Sequence, residues 1–196
     1  MPRPTPRPPR LPLLDPGELS PEQRTLYEEI TRGPRARGPR HFALTDADGR
    51  LHGPFNAMLL SPALGRSLQE LGAAIRYASG LSPRVRELSI LVVAAAWDCA
   101  FERYAHERVG RAAGLTEPEL TALRESRDPQ LADPREHAAW ELARTLTVPV
   151  RALDDEGYER ARTALGERAL FELSTLVGYY ATLALQLRLF AVPAPR

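Results

Sequence analysis

Apolar residues recur at helical spacing along nearly the whole chain, and no stretch alternates as a half-buried strand does. The first start signal is Ser20-Pro21-Glu22-Gln23, with Ser at the N-cap, Pro at the first helical position and Gln at the third. That helix turns Leu26 and Ile30 inward and stops at Gly33-Pro34. From Pro34 to Gly53 the pattern is irregular, with an Asp48-Gly49 turn that suits a short hairpin or an ordered loop. A short helix from Gly53 then runs to Leu60. Ser61-Pro62 starts a helix to Ser79 with Leu64, Leu68, Leu71 and Ile75 on one face, and Gly80 closes it. Ser82-Pro83 repeats the signal ahead of an almost uncharged run, Leu88 to Trp97. Asp98 is placed to cap a further helix, Cys99 to Ala113, ended by Gly114. Thr116 with Glu119, and Asp133 with Glu136, are spaced as capping boxes for two more. After a loop from Val148 to Leu153, Asp154 or Asp155 starts a helix that ends near Gly166. The last helix, Glu167 to Phe190, is apolar nearly all round and must be covered on most sides. The pattern predicts an all-α fold, a compact helical bundle.

The run ELSILV, from Glu87 to Val92, recurs as ELSTLV from Glu172 to Val177. Each copy opens a long apolar helix preceded by a more amphipathic one, which suggests an internal helical-hairpin repeat. Only the first copy leads into a cluster of reactive side chains. Residues 1–18 are rich in Pro and Arg and cannot pack a core. They predict an extended, largely polyproline II arm lying on a neighbouring subunit, ahead of a single helical domain over residues 19–196.

Composition narrows the function. The 196 residues carry a net charge of +1, which points to neither nucleic acid nor an anionic membrane as a partner. The N-terminus is basic but broken by proline, unlike a secretory signal, and the most apolar stretch is interrupted by Glu172, Gln186 and Arg188, unlike a membrane span. A single cysteine excludes a disulfide framework within the chain. A cytoplasmic bacterial protein is the expectation.

The chemistry concentrates between Ser82 and Leu115. Glu102 and His106 are four apart and share a helix face. One reading is an ordinary surface pair. The other is an acid/base couple in which the carboxylate orients the imidazole while the other ring nitrogen faces a substrate. Cys99 reads either as a buried small hydrophobe or as a thiol activated at a helix start. Glu87 either complements the helix dipole or reaches across the hairpin to the cluster. No recognised metal-ligand spacing is present, and no metal or other cofactor is expected. His41, His52 and His137 read as surface or structural. Phe55, Asn56, Tyr104, Tyr179 and Tyr180 are pocket-lining candidates, Asn56 above all because a polar amide at an apolar helix start needs a partner.

The run GPFNAMLLSP, the run LSPRVRELSILVVAA, the spaced Glu87, Cys99, Glu102 and His106, the run GRAAGLTEPEL and the C-terminal helix together resemble the carboxymuconolactone decarboxylase and alkyl hydroperoxidase D superfamily over residues 53–193. The resemblance implies a helical fold assembled as a homo-oligomer, a trimer or hexamer, with active sites near subunit contacts. The hydroperoxidase branch carries a Glu, a CxxC pair and a His. Glu87, Cys99 and His106 match it, but Glu102 stands where the second cysteine belongs, and a lone thiol has no resolving partner in the chain. The decarboxylase branch carries Glu-x-x-x-His without cysteines, matching Glu102 and His106. The expectation is therefore cofactor-free proton transfer on a small carboxylated or carbonyl substrate, by decarboxylation or isomerisation. A single-cysteine peroxidase using Cys99 and a non-catalytic ligand-binding oligomer are the alternatives. A substrate anion would need a cation, for which Arg86 and Arg103 are the candidates.

Overall fold

The computed structural model describes residues 9–33, 42–147 and 153–195. His41 and most of the predicted loop at 148–153 lie outside them, as do residues 1–8 of the arm. Nine α-helices stand among the described residues. They are α1 (Pro21–Arg32), α2 (Pro54–Met58), α3 (Pro62–Tyr77), α4 (Pro83–Ala96), α5 (Ala100–Ala112), α6 (Glu117–Arg124), α7 (Pro134–Thr147), α8 (Asp155–Leu165) and α9 (Glu167–Leu189). None is long and apolar enough to cross a membrane.

The start signals operate largely as the sequence predicts. Ser20 accepts from the Gln23 N–H while the Gln23 side chain accepts from the Ser20 N–H, a complete capping box. Thr116 and Glu119 form a second. Ser82 caps α4 through the Val85 N–H, and Asp154 caps α8 through Gly157. Three predictions fail locally. Ser61 stands at the start of α3, but its side chain makes no cap bond. Asp98 sits at φ +45 outside the helix, and Cys99 is the N-cap of α5. Glu136 does not complete the box with Asp133, because Arg84 of α4 takes its carboxylate at 2.8 and 2.9 Å. Arg84 also holds Glu119 at 2.9 Å, tying α4 to α6 and α7.

α4 is the central element, packed against α5, α6, α7 and α9. Every residue from Glu87 to Ala94 is buried. Each large apolar side chain here contributes about 1.5–3 kcal/mol by burial, so Leu88→Ala should cost about 2–5 kcal/mol.

The predicted apolar face of α3 holds for Ile75, which is buried, and Leu68, which packs against the core, but not for Leu64 and Leu71. Leu64 and Leu71 are 60% and 39% exposed, while Gly65, Gln69, Gly72 and Ile75 face inward. The reason is backbone proximity: a Cβ on Gly65 would lie 2.3 Å from the Met58 carbonyl oxygen, so α2 and α3 meet where only glycine fits. α9 departs from expectation too. Leu173, Leu176, Val177 and Tyr180 are buried, but Phe171, Leu185 and Leu189 stay exposed, uncovered by the chain's own described residues.

A single antiparallel bridge, Thr45 to Leu51, forms the short hairpin around Asp48-Gly49. The described part of the arm lies on its own chain. The Arg10 N–H donates to the Phe190 carbonyl at 2.8 Å and the Arg10 guanidinium to that of Leu189.

Candidate active site

α4 and α5 bring together residues that sequence spacing alone could not join. His106 Nδ1 lies 2.6 Å from Glu87 Oε2, nineteen residues away across the hairpin. Its other nitrogen, Nε2, lies 3.2 Å from Glu102 Oε2, one turn back on α5. All three side chains are buried. The expected roles are thus rearranged. Glu87, fully buried, orients the imidazole, and Glu102 stands at the nitrogen that was expected to face a substrate.

Two arginines complete the cluster around Glu87. Oε1 is 3.3 Å from Arg86 Nε and 3.5 Å from Arg76 Nη1. Arg86 also donates to the Arg76 carbonyl at 3.1 Å, fixing the end of α3 against α4. Tyr180 of α9 meets the imidazole edge-on, with ring centroids 5.1 Å apart, and Tyr179 meets Tyr180 in the same way. Such contacts fix ring orientation as well as burying area.

The electrostatics follow from this packing. Burial alone would raise the Glu87 pKa, but His106, Arg76 and Arg86 outweigh it and hold the carboxyl below the usual range. Burial alone would lower the His106 pKa, but Glu87 and Glu102 win and raise it above the ordinary value of 6.5. The packing therefore favours the protonated imidazole between Glu87 and Glu102. Burial pushes the Tyr180 phenol well above its usual range, so it remains a neutral donor.

The cluster opens onto a cleft of about 70 Å³. Glu102 and His106 line it from α5, Arg76 and Tyr77 from α3, Tyr179, Tyr180 and Leu183 from α9. Phe55 borders it from α2 and Phe42 and Leu44 from the hairpin. Gly53 makes this wall possible. At φ +61, a Cβ there would come within 2.2 Å of the Phe101 ring, which also lines the cleft.

The other candidates fall elsewhere. Asn56 does not line the cleft. Its Oδ1 accepts from the Leu14 N–H at 2.9 Å and its Nδ2 donates to the Pro12 carbonyl at 3.0 Å, clasping the arm. The buried amide did need a partner, and the partner is backbone. Arg86 stands behind Glu87. Arg103 pairs with Asp98 at 2.8 Å, and Tyr104 lies under the Arg108 guanidinium at 3.8 Å. Cys99 packs in an apolar cluster with Phe101, Ala105, Ala184 and Leu187. Burial, together with the Glu102 charge, pushes its thiol up to about 11, against the weaker pull of the Glu102 and Phe101 N–H groups and Arg103. A helix start does not activate a thiol it has desolvated. Among the described residues, no group of His, Cys, Asp and Glu is arranged to hold a metal ion.

Sequence reasoning passed over Arg76, and with it Tyr77, Phe101, Leu183 and the hairpin residues Phe42 and Leu44. Arg76 sits at the polar end of a helix whose leucines drew attention to the opposite face.

The comparisons agree with this architecture. The carboxymuconolactone decarboxylase family profile matches residues 62–145, which span α3 to α7 and contain Arg76, Glu87, Glu102 and His106. No curated protein matches the chain in sequence. The chain superposes on the alkylhydroperoxidase AhpD core of an uncharacterised peroxidase-related protein from Ralstonia eutropha JMP134, with a TM-score of 0.73 at 14% identity, covering 95% of this chain and 92% of that one. An uncharacterised peroxidase-related protein from Silicibacter sp. TM1040 gives 0.71 at 16% identity, covering 94% and 91%. The debrominase Bmp8 gives 0.65 at 14% identity, covering 89% and 87%. At these identities the likeness carries the fold. Residues 62–145 thus carry the carboxymuconolactone decarboxylase family pattern, on a helical fold shared with alkyl hydroperoxidase D-like proteins.

Proposed function

We propose that the protein is a cofactor-free proton-transfer enzyme acting on a small carboxylated or carbonyl substrate, by decarboxylation or isomerisation. The observation that carries this reading is the imidazole of His106 held between Glu87 and Glu102 beside a cleft with aromatic and aliphatic walls. Glu102 is the group that meets the substrate. In isomerisation it takes a proton from a carbon beside a carbonyl, leaving the electron pair on the enolate, and returns the proton to another carbon. In decarboxylation the C–C bond breaks, CO2 leaves, and the pair remains on the neighbouring carbon. The His106 imidazolium, through Glu102, protonates that carbon and is reprotonated from water. Positioned acid/base groups of this kind contribute about 10²–10⁴-fold. Glu87 touches no substrate; it holds the imidazole in place and charged.

The thiol peroxidase alternative requires a thiolate, and Cys99 is buried with its pKa raised to about 11. The reading also includes a homo-oligomer, in which a second copy would cover the exposed apolar residues of α3 and α9.

The test is a panel of β-keto acids and carboxylated lactones turned over in D2O, read by CO2 release and deuterium incorporation. His106→Ala and Glu102→Gln should each lose about 10²–10⁴-fold in rate, and Cys99→Ala should stay within about twofold. Full turnover by both His106→Ala and Glu102→Gln, or loss of turnover in Cys99→Ala, would overturn the proposal.

A further inference from the structure

The cleft combines apolar walls with one guanidinium. Among the described residues lining it, Arg76 is the only Arg or Lys. Its side chain is largely buried, and it leaves α3 at the α4 side of the cleft, beside Glu87 and Tyr180. A buried arginine needs counter-charge, but the one supplied is long: Arg76 Nη1 stands 3.5 Å from Glu87 Oε1, at the outer limit of a hydrogen bond.

Glu87, conversely, does not depend on Arg76. Its Oε1 also meets Arg86 at 3.3 Å, and its Oε2 meets His106 at 2.6 Å. A ligand that drew the Arg76 guanidinium away would leave Glu87 with two partners. The charges point the same way. Three basic groups, Arg76, Arg86 and His106, stand around the two carboxyl groups of Glu87 and Glu102 beside the cleft. A guanidinium presents five N–H donors in a fork that matches a carboxylate; Glu87 and the Tyr180 hydroxyl take part of that capacity and leave the rest for a ligand.

We propose that Arg76 is the anion-binding residue of the cleft, and that its ligand is a small carboxylate whose charged end docks on the guanidinium while its apolar body lies against Phe55, Phe101 and Leu183. This assignment rests on the proton-transfer reading of the same site and narrows its substrate to an anion. It also replaces Arg86 and Arg103, which line no part of the cleft. Arg76, Glu102 and His106 line the same cleft, so a carboxylate on Arg76 would share it with the groups that move the proton.

The experiment is a titration of the full-length protein with acetate, and with acetamide as the uncharged isostere, followed through the ring resonances of ¹⁵N-histidine at constant pH and low salt. Acetate should bind saturably and at least tenfold more tightly than acetamide. Arg76→Gln should weaken acetate at least tenfold, and Arg76→Lys, which keeps charge but loses the fork, should weaken it less. Acetate binding no tighter than acetamide to the wild-type protein, or unchanged acetate affinity in Arg76→Gln, would overturn the assignment. Should Arg76→Gln fail to fold, the wild-type comparison and Arg76→Lys decide it: equal affinities for acetate and acetamide refute it. The two proposals fail separately. Acetate binding through Arg76 without His106-dependent turnover removes the enzymatic reading alone, whereas His106-dependent turnover with Arg76-independent anion binding removes this assignment alone.

Discussion

The two ELS-x-LV runs begin alike and end in opposite surroundings. In α4 the whole run from Glu87 to Val92 is buried, and its glutamate closes on His106 and two arginines. In α9 only Leu173, Leu176 and Val177 of the run are buried, and Ser174 is exposed. The Glu172 carboxylate accepts from the Gly80 N–H at 3.0 and 3.1 Å and pairs with the exposed Arg168. The helices also differ in length, 14 residues against 23, and the shared run is a likeness of pattern whose outcome depends on position. A helix packed on all sides must neutralise any charge it carries, and the partners it recruits become a site. A helix with one open face sends the same charge outward, where it accepts from a turn N–H and pairs with an exposed arginine.

The widest separation should come from the two glutamates. Glu87→Gln leaves the imidazolium and two guanidinium groups without their shared carboxylate and should cost about 3–5 kcal/mol of stability. Glu172→Gln removes the ion pair with exposed Arg168 and weakens one contact to a turn N–H, and should cost no more than about 1 kcal/mol. Urea unfolding of both variants checks the contrast, and equal losses would break it. The serines should separate next. Ser89 is fully buried with its hydroxyl on the Val85 carbonyl, so Ser89→Leu overpacks the core by about 1–3 kcal/mol. Ser174→Leu, on the open face, should change stability by no more than about 0.5 kcal/mol. Thermal melts of the pair measure this.

What the sequence disclosed divides along the same line. Caps and helix ends are local chemistry, so Ser20, Ser82, Thr116 and Asp154 announced their helices. The Glu102–His106 contact was legible because one helical turn fixes it. Glu87 and Arg76 were harder, since their meeting with His106 and with each other is set by how α3, α4 and α5 pack. No spacing rule covers that. Leu64 and Leu71 of the α3 face were misread because hydrophobic pattern weighs side chains, whereas Gly65 faces inward to let backbone approach backbone. Asn56 was singled out for a sound reason, an amide needing a partner, yet its partner is the arm of its own chain rather than a ligand. Cys99 drew attention by chemistry and turned out to pack as a small hydrophobe.

A smaller effect sharpens the position of the arm. Asn56→Ala removes both contacts that hold Pro12 and Leu14, and should cost about 1–3 kcal/mol while leaving the Glu87–His106–Glu102 geometry in place. Protease cleavage within residues 9–18 should accelerate in that variant. Cleavage at the wild-type rate would contradict the clasp.

The most direct test of the account is the titration of His106 by ¹⁵N NMR in the wild-type protein and in Glu87→Gln. The groups around the ring are Glu87, Glu102, Arg76, Arg86 and Tyr180, and the two carboxyl groups dominate. A histidine pKa raised on folding stabilises the native state fully below pH 6.5 and loses that contribution as pH rises through the folded value. Glu87, held low, contributes above the ordinary carboxyl range and loses its contribution as pH falls through its own folded value. The predicted result is an imidazolium in the wild-type protein that persists above pH 6.5, and a midpoint that drops in Glu87→Gln. A neutral His106 at pH 6.5 in the wild-type protein, or the same midpoint in both, would contradict the claim that Glu87 holds the proton of this site in place.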